Sequence, residues 1–163
     1  MFLEAGLLAP IVALLETQWN LLSENEFQVF KDLAKICFSI LINLTFCSTK
    51  TLDKLYKRKI HLIVASLIST PFDTEFHSLL SVLLGNIVDN HQDMCVAVMN
   101  LGCLPRMCSI IEIMPEEIEL RRSVIYFIQA CFKFIKLRTH LIPAVRTFLT
   151  CLHNWQQLDT TSL

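Results

Sequence analysis

Residues 102–111, Gly-Cys-Leu-Pro-Arg-Met-Cys-Ser-Ile-Ile, repeat without gaps the apolar pattern of residues 6–15, Gly-Leu-Leu-Ala-Pro-Ile-Val-Ala-Leu-Leu. Each stretch opens with one of the chain's three glycines and continues into an apolar run of helical spacing. Residues 60–68, Ile-His-Leu-Ile-Val-Ala-Ser-Leu-Ile, carry a similar run without the glycine. The copies are separated by spacings in the forties to low fifties, and periods of this size indicate a helical solenoid.

A second set of apolar runs alternates with the first and predicts longer helices at residues 27–46, 73–88 and 115–134. In the first of these, Leu33, Ile36 and Ile40 recur at three- and four-residue steps, which predicts a buried helical stripe. Short segments at residues 51–56 and 91–99 have the length of a one- or two-turn helix. Each repeat is therefore predicted to contain one short and two longer helices, and the fold class is all-α.

The repeats predict one domain over residues 1–152, which opens partway through a repeat, and a polar C-terminal tail over residues 153–163. A final helix is expected near residues 139–153, where Leu141, Val145, Phe148 and Leu149 share one face. An opening partway through a repeat leaves apolar surface uncovered. We therefore expect either a shortened relative of a longer repeat protein or a protein whose N-terminal edge self-associates or docks.

The composition favours a globular protein with a large core, because 53% of the residues are hydrophobic and only 18% are charged. No uncharged apolar run reaches about 18 residues, the length of a membrane span. The N-terminus lacks the basic region of a signal peptide, so a cytoplasmic or nuclear protein is expected. A net charge of -1 gives no general attraction for nucleic acid or an anionic membrane.

The sequence contains no recognisable catalytic motif: no GxSxG, no P-loop and no dinucleotide fingerprint. The seven cysteines form no CxxC pair, and the five histidines lie at no metal-ligand spacing. The cysteines are instead expected to be small apolar core residues in a reducing compartment. We therefore predict a non-catalytic protein with no metal site, no cofactor and no small-molecule substrate.

Two charged clusters each allow two interpretations. The basic cluster Lys54, Lys57, Arg58 and Lys59 is expected to be a solvated bend between helices, and the alternative is a phosphate-binding or targeting patch. The acidic residues Glu112, Glu116, Glu117 and Glu119 are expected to be a solvated helix start, and the alternative is a rim that receives a basic partner.

The strings Leu-Leu-Ser-Val-Leu-Leu-Gly-Asn-Ile-Val-Asp-Asn at residues 79–90 and Val-Ala-Val-Met-Asn-Leu-Gly-Cys-Leu-Pro at residues 96–105 resemble an armadillo repeat. They look like a long third helix, a short first helix and the glycine turn into the second helix. Residues 2–15 are similar to the same turn and second helix. The resemblance implies a right-handed α-solenoid of about three armadillo-type repeats, and Leu84-Gly85-Asn86-Ile87 is most similar to the importin-alpha group.

In the importin-alpha group the third helices line a concave groove, where tryptophans flank the lysines of an extended peptide and asparagines one turn later hold its backbone. In this chain the tryptophan position falls on Ser39, Val82 and Tyr126, and the asparagine position on Asn43, Asn86 and Ala130. An acidic position one further turn on is occupied by Asn90. The resemblance therefore implies a peptide-binding groove lined by Ser39, Asn43, Val82, Asn86, Asn90 and Tyr126.

The missing tryptophans weaken the expectation of a lysine-binding groove, because an indole contact with a lysine contributes roughly 0.5–2 kcal/mol. The resemblance supports the fold and an extended-peptide groove more strongly than it supports a role in importin-alpha-like nuclear protein import. The leading hypothesis is a protein-binding adaptor that receives an extended peptide. A structural scaffold subunit, docked through its N-terminal edge or convex face in a larger complex, is the alternative. Asn43 and Asn86 also have two open roles, which are binding a peptide and tying adjacent repeats together.

Overall fold

A computed structural model describes residues 6–47, 49–70, 73–89, 91–114 and 116–134, together with residues 142, 146, 149 and 150. The described part is all-helical and contains no strand, so the predicted fold class is confirmed at the level of an all-α protein. Within the predicted final helix, residues 142, 146, 149 and 150 are helical, and the rest of that helix, the polar tail and Asn90 lie outside the described residues.

The described residues up to 134 form eight α-helices, and the long helices alternate with shorter ones. They are α1 (Leu8–Leu15), α2 (Glu24–Cys47), α3 (Thr49–Lys57), α4 (Ile60–Ser66), α5 (Thr74–Val88), α6 (Gln92–Asn100), α7 (Cys103–Ile113) and α8 (Ile118–Phe132). Short 3-10 turns at Trp19–Leu21 and Leu67–Ser69 join α1 to α2 and α4 to α5. The predicted long helices correspond to α2, α5 and α8, and the predicted short ones to α3 and α6.

Local signals explain where α2 and α5 begin. Before α2, the backbone N–H and the hydroxyl of Ser23 both donate to the Glu26 carboxylate, at 2.9 and 2.6 Å, which resembles one half of a capping box. Before α5, the Asp73 carboxylate accepts the Phe76 N–H at 2.9 Å. Each contact satisfies an N–H group or fixes the entry turn, so the helix begins at the next residue.

The predicted start of α8 at Pro115 is wrong by three residues. Glu117 has a ψ of 87°, which is outside the helical region, so the helical hydrogen-bond pattern begins only at Ile118. The acidic residues Glu116 and Glu117 therefore precede the helix instead of forming its first turn.

The turns into α4 and α7 share a left-handed residue just before the helix. Gly102 has a φ of 71°, and Lys59 has a φ of 55° at the matching place before Ile60. Gly6, before α1, also has a positive φ of 77°. A lysine thus occupies the conformation that glycine adopts most easily, which explains why the copy without a glycine still forms the turn.

Helix α5 lies at the centre of the packing and contacts both α2 and α8 extensively. Phe76 of α5 packs edge-on against Phe38 of α2, with ring centroids 5.0 Å apart, and both side chains are fully buried. Phe127 of α8 is also fully buried, and the buried residues form one continuous apolar cluster. The fold therefore sets the three long helices side by side, with α5 in the middle.

The described cysteine thiols are free and lie in this core, as predicted: Cys37, Cys95, Cys103, Cys108 and Cys131. Burial raises the pKa of Cys103 to about 12 and that of Cys108 to about 11. Both groups therefore remain protonated at neutral pH and pack as small apolar residues.

Candidate functional site

The candidate site lies along the side of α2, α5 and α8 that carries the predicted groove residues. Ser39 and Asn43 are exposed on α2, whereas Val82 on α5 and Tyr126 on α8 are half-buried. Asn86 is buried, with 6% of its surface exposed.

A chain of hydrogen bonds links these three helices through Asn86. The Asn86 amide Nδ2 donates to Thr45 Oγ1 of α2 at 2.8 Å, and Oδ1 accepts from the Tyr126 hydroxyl of α8 at 2.7 Å. Both ends of the amide are therefore engaged within the protein. Asn86 therefore connects α5 to α2 and α8, which is one of the two roles that the sequence leaves open for it.

Gly85 explains how Tyr126 approaches α5 closely enough to reach Asn86. A Cβ atom at position 85 would lie 2.6 Å from Tyr126 Cε1 and 2.7 Å from Cδ1, well inside van der Waals contact. The absence of a side chain on Gly85 thus makes room for the aromatic ring. Burial and the nearby Asp89 charge raise the pKa of the Tyr126 phenol, so it stays protonated and can donate.

Ion pairs lie at both ends of α5, between this helix and its neighbours. At the start of α5, Asp73 lies 3.2 Å from Lys31 and 3.0 Å from Lys35 of α2, and Lys35 also contacts Glu75 at 2.5 Å. The hydrogen bonds from Phe76, Lys35 and Lys31 lower the pKa of Asp73 against the opposing effect of burial, so it stays ionised. At the end of α5, Asp89 pairs with Lys133, just after α8.

The charged residues of both predicted clusters are exposed. Lys54 and Lys57 are exposed in the last turns of α3, and Arg58 and Lys59 form the exposed turn that follows. Glu119 pairs with Arg122 at 2.7 Å on the surface of α8. Glu119 precedes Tyr126 on the same helix. The described groove residues lie on three neighbouring helices: Ser39, Asn43, Val82, Asn86 and Tyr126.

Sequence reasoning missed the contributions of Thr45, Gly85 and Lys133. A glycine in the middle of a strongly apolar helix was the available signal, because such a glycine often marks a close approach of another group. Thr45 and Lys133 carried no comparable signal, since nothing in their spacing relates them to Asn86 or Asp89.

No group of histidine, cysteine, aspartate or glutamate side chains among the described residues is arranged to hold a metal ion. In the same part of the chain, no single helix has both the length and the hydropathy of a membrane span. Helices α6 and α7 reach those values only when taken together, and they are bent by 64° relative to each other. Comparison of the chain with protein-family models, curated proteins and solved structures gives no significant match.

Proposed function

We propose that this chain is a non-catalytic protein-binding module of the armadillo type, a right-handed solenoid whose long helices α2, α5 and α8 receive an extended peptide. The recurring order of two shorter helices followed by a long one, in α3–α5 and again in α6–α8, supports this organisation. The left-handed residue before α4 and α7 supports it as well, because it recurs at the same place in each unit.

The observation that carries the proposal is the hydrogen-bonded link from Thr45 through Asn86 to Tyr126. Because the link crosses α2, α5 and α8 in turn, the side chains around it form one continuous surface. We call this surface the peptide face and define it by Ser39, Asn43, Val82 and Tyr126. An extended peptide laid across the three helices would contact all four residues.

Polar groups on the peptide face can bind a peptide backbone. The Ser39 hydroxyl donates to the Lys35 carbonyl at 3.1 Å, and the Tyr126 hydroxyl donates to Asn86. Each hydroxyl oxygen keeps lone pairs that can accept a peptide N–H. Asn86 holds the helices in position and contributes to binding through Tyr126.

Recognition of a basic nuclear-import peptide would draw on Asp89, the acidic residue beside Tyr126. Asp89 already pairs with Lys133, so a peptide lysine would compete with Lys133 for the carboxylate. An importin-alpha-like adaptor role therefore predicts that removing the Lys133 charge strengthens binding of a basic peptide. Binding of extended peptides without a preference for basic residues does not predict this effect of removing the Lys133 charge.

The test is selection of peptides from a phage-displayed library of unstructured sequences on the intact protein. Selected peptides should bind wild type and lose about tenfold or more in affinity with Ser39→Arg, because the larger cation blocks the peptide face. Ser109→Arg is the matched control. Ser109 is also an exposed helical serine, and its hydroxyl donates to a carbonyl four residues earlier at 3.1 Å, as that of Ser39 does.

Equal affinity of the two arginine variants for every selected peptide would contradict the proposed peptide face. Lys133→Gln then separates the two forms of recognition. An increase in affinity confined to lysine-rich peptides supports the importin-alpha-like form, and no change assigns the face to other extended sequences.

A further inference from the structure

Helix α2 carries an exposed apolar row on the side opposite α5. Val29, Leu33 and Ile36 are 58%, 43% and 57% exposed, and half-buried Ile40 continues the row at helical spacing. The predicted burial of Leu33 and Ile36 is therefore wrong, because no described helix packs on this side of α2. Beside the row, between α1 and α2, lies an open and mostly apolar groove of about 360 Å³. We call Val29, Asp32, Leu33, Ile36 and Ile40 the α2 edge.

The internal repeat shows what such a surface does elsewhere in the molecule. The 43-residue offset between Asn43 and Asn86 aligns Leu33 with Phe76 and Ile40 with Leu83. Both α5 residues are fully buried, and Phe76 contacts Phe38 of α2. Helix α5 therefore uses this face to bind another helix, and α2 presents the same face to solvent.

The acidic residue at the border of this face has the same repeat position in α2 and in α5. The same offset aligns Asp32 with Glu75, and Glu75 contacts Lys35 of α2 at 2.5 Å. Asp32 is exposed and accepts the Gln28 side-chain amide at 3.1 and 3.2 Å. The α2 edge thus carries an acid where α5 carries the acid that receives a lysine.

The charges around the α2 edge indicate which kind of partner it can bind. Glu26 and Asp32 border it, whereas Lys31 and Lys35 lie on the opposite side of the helix in ion pairs with α5. Two such edges facing each other would bring acids together, which disfavours a symmetric dimer through this surface. A basic partner is complementary to it.

We propose that the α2 edge binds an amphipathic α-helix of another protein, with an apolar stripe bordered by two basic residues one turn apart. The template is α2 itself, where Lys31 and Lys35 border Phe38 on the face that α5 receives. This surface shares no residue with the peptide face, so the inference does not rest on the proposed function.

The probe is a fluorescein-labelled synthetic peptide with the sequence of residues 24–47 and both cysteines replaced by serine. Its anisotropy should rise saturably when the intact protein is added. Leu33→Asp and Ile36→Asp in the protein should each weaken binding about tenfold, because each places a charge in the apolar contact. Ile113→Asp is the matched control, since Ile113 is 75% exposed on α7, away from the α2 edge.

A charge exchange supplies a second measurement. Asp32→Lys in the protein should weaken probe binding about threefold, and Lys35→Glu in the probe should restore it with that variant only. Absence of saturable binding, or equal effects of Ile36→Asp and Ile113→Asp, would overturn the proposal. A concentration-dependent dimer in sedimentation that Ile36→Asp dissolves would also overturn it, because the occupant would then be a second copy of the chain.

Discussion

Lys59 is the described residue other than glycine that adopts a positive φ, and its cost can be measured. A side chain in the left-handed region is less stable by about 1–2 kcal/mol than in the right-handed region, and glycine avoids most of this. Part of the gain is lost because glycine is more flexible in the unfolded chain. We expect Lys59→Gly to raise the free energy of unfolding by about 0.5–1 kcal/mol in urea titrations.

Lys54→Gly provides the matched control for the Lys59 prediction. Lys54 is exposed like Lys59 but lies within α3, where glycine is less favourable by about 0.5–1 kcal/mol. Opposite signs for the two lysine substitutions are therefore expected. A loss of stability in Lys59→Gly would show that the turn does not need the left-handed conformation.

Gly85 makes a second prediction at the scale of one residue. Alanine favours a helix over glycine by about 1 kcal/mol, but a Cβ at position 85 overlaps the Tyr126 ring. Overpacking of this kind costs about 1–3 kcal/mol, and displacing the ring also breaks its hydrogen bond to Asn86. Gly85→Ala should therefore destabilise the protein in thermal and urea unfolding.

Removal of the ring tests that explanation directly. In a Tyr126→Ser background the overlap disappears and the helix preference of alanine remains, so Gly85→Ala should become neutral or stabilising. A loss of stability that is the same in both backgrounds would show that Tyr126 is not the group that requires the glycine.

At the scale of the helix, Asp73 combines two roles at the start of α5. It caps the Phe76 N–H and contacts Lys31 and Lys35 of α2. We expect Asp73→Ala to lower the free energy of unfolding by about 1–2 kcal/mol. Asp73→Asn should lose less, since asparagine also caps, and Glu75→Gln should lose no more than about 0.5 kcal/mol, because Glu75 is exposed.

A different order among these three variants would contradict the assignment. In particular, a Glu75→Gln effect as large as that of Asp73→Ala would mean that the ion pairs, rather than the cap, hold the start of α5.

The helices could be predicted closely from the sequence because each long helix carries an apolar stripe at three- and four-residue steps. The ends of the helices could be predicted less closely. The start of α2 depends on the Ser23–Glu26 contact, and the start of α8 depends on the backbone of Glu117. Periodicity identifies the face of a helix, whereas a cap depends on the torsions of one or two residues.

The contacts of the candidate site were less accessible to prediction than its positions. The repeat register predicts that Asn86 and Tyr126 lie on the same side of the long helices. It does not predict the 2.7 Å hydrogen bond between them. That bond depends on how closely α8 approaches α5, and the approach depends on Gly85. The partner across an interface is determined by packing geometry, which a pattern within one helix does not contain.

For the whole molecule, two core histidines make stability depend on pH. Burial lowers the pKa of both His61 and His77 below the ordinary value of 6.5. The folded protein therefore holds them neutral at a pH where the unfolded chain binds protons. The contribution of the two histidines to stability is fully present above pH 6.5 and is lost as the pH decreases below that value, with urea titrations at about pH 7.5 and 5.5 as the measurement.

The contribution of His61 can be isolated with His61→Phe. The His61 ring stacks on Tyr56 with centroids 5.3 Å apart, and phenylalanine can keep that contact without titrating. The variant should lose less stability between the two pH values than the wild type. A loss of the same size in both proteins would contradict the role assigned to His61.

The central claim, that the three long helices present a face to an extended peptide, is tested most directly by site-specific photo-crosslinking. A benzophenone amino acid is placed at Ser39 on the peptide face and, in a second protein, at Ser109 on α7. Each protein is irradiated with a selected peptide, and the products are mapped by mass spectrometry. The account predicts crosslinks to the peptide from position 39 and few or none from position 109; crosslinks from position 109 alone would contradict it.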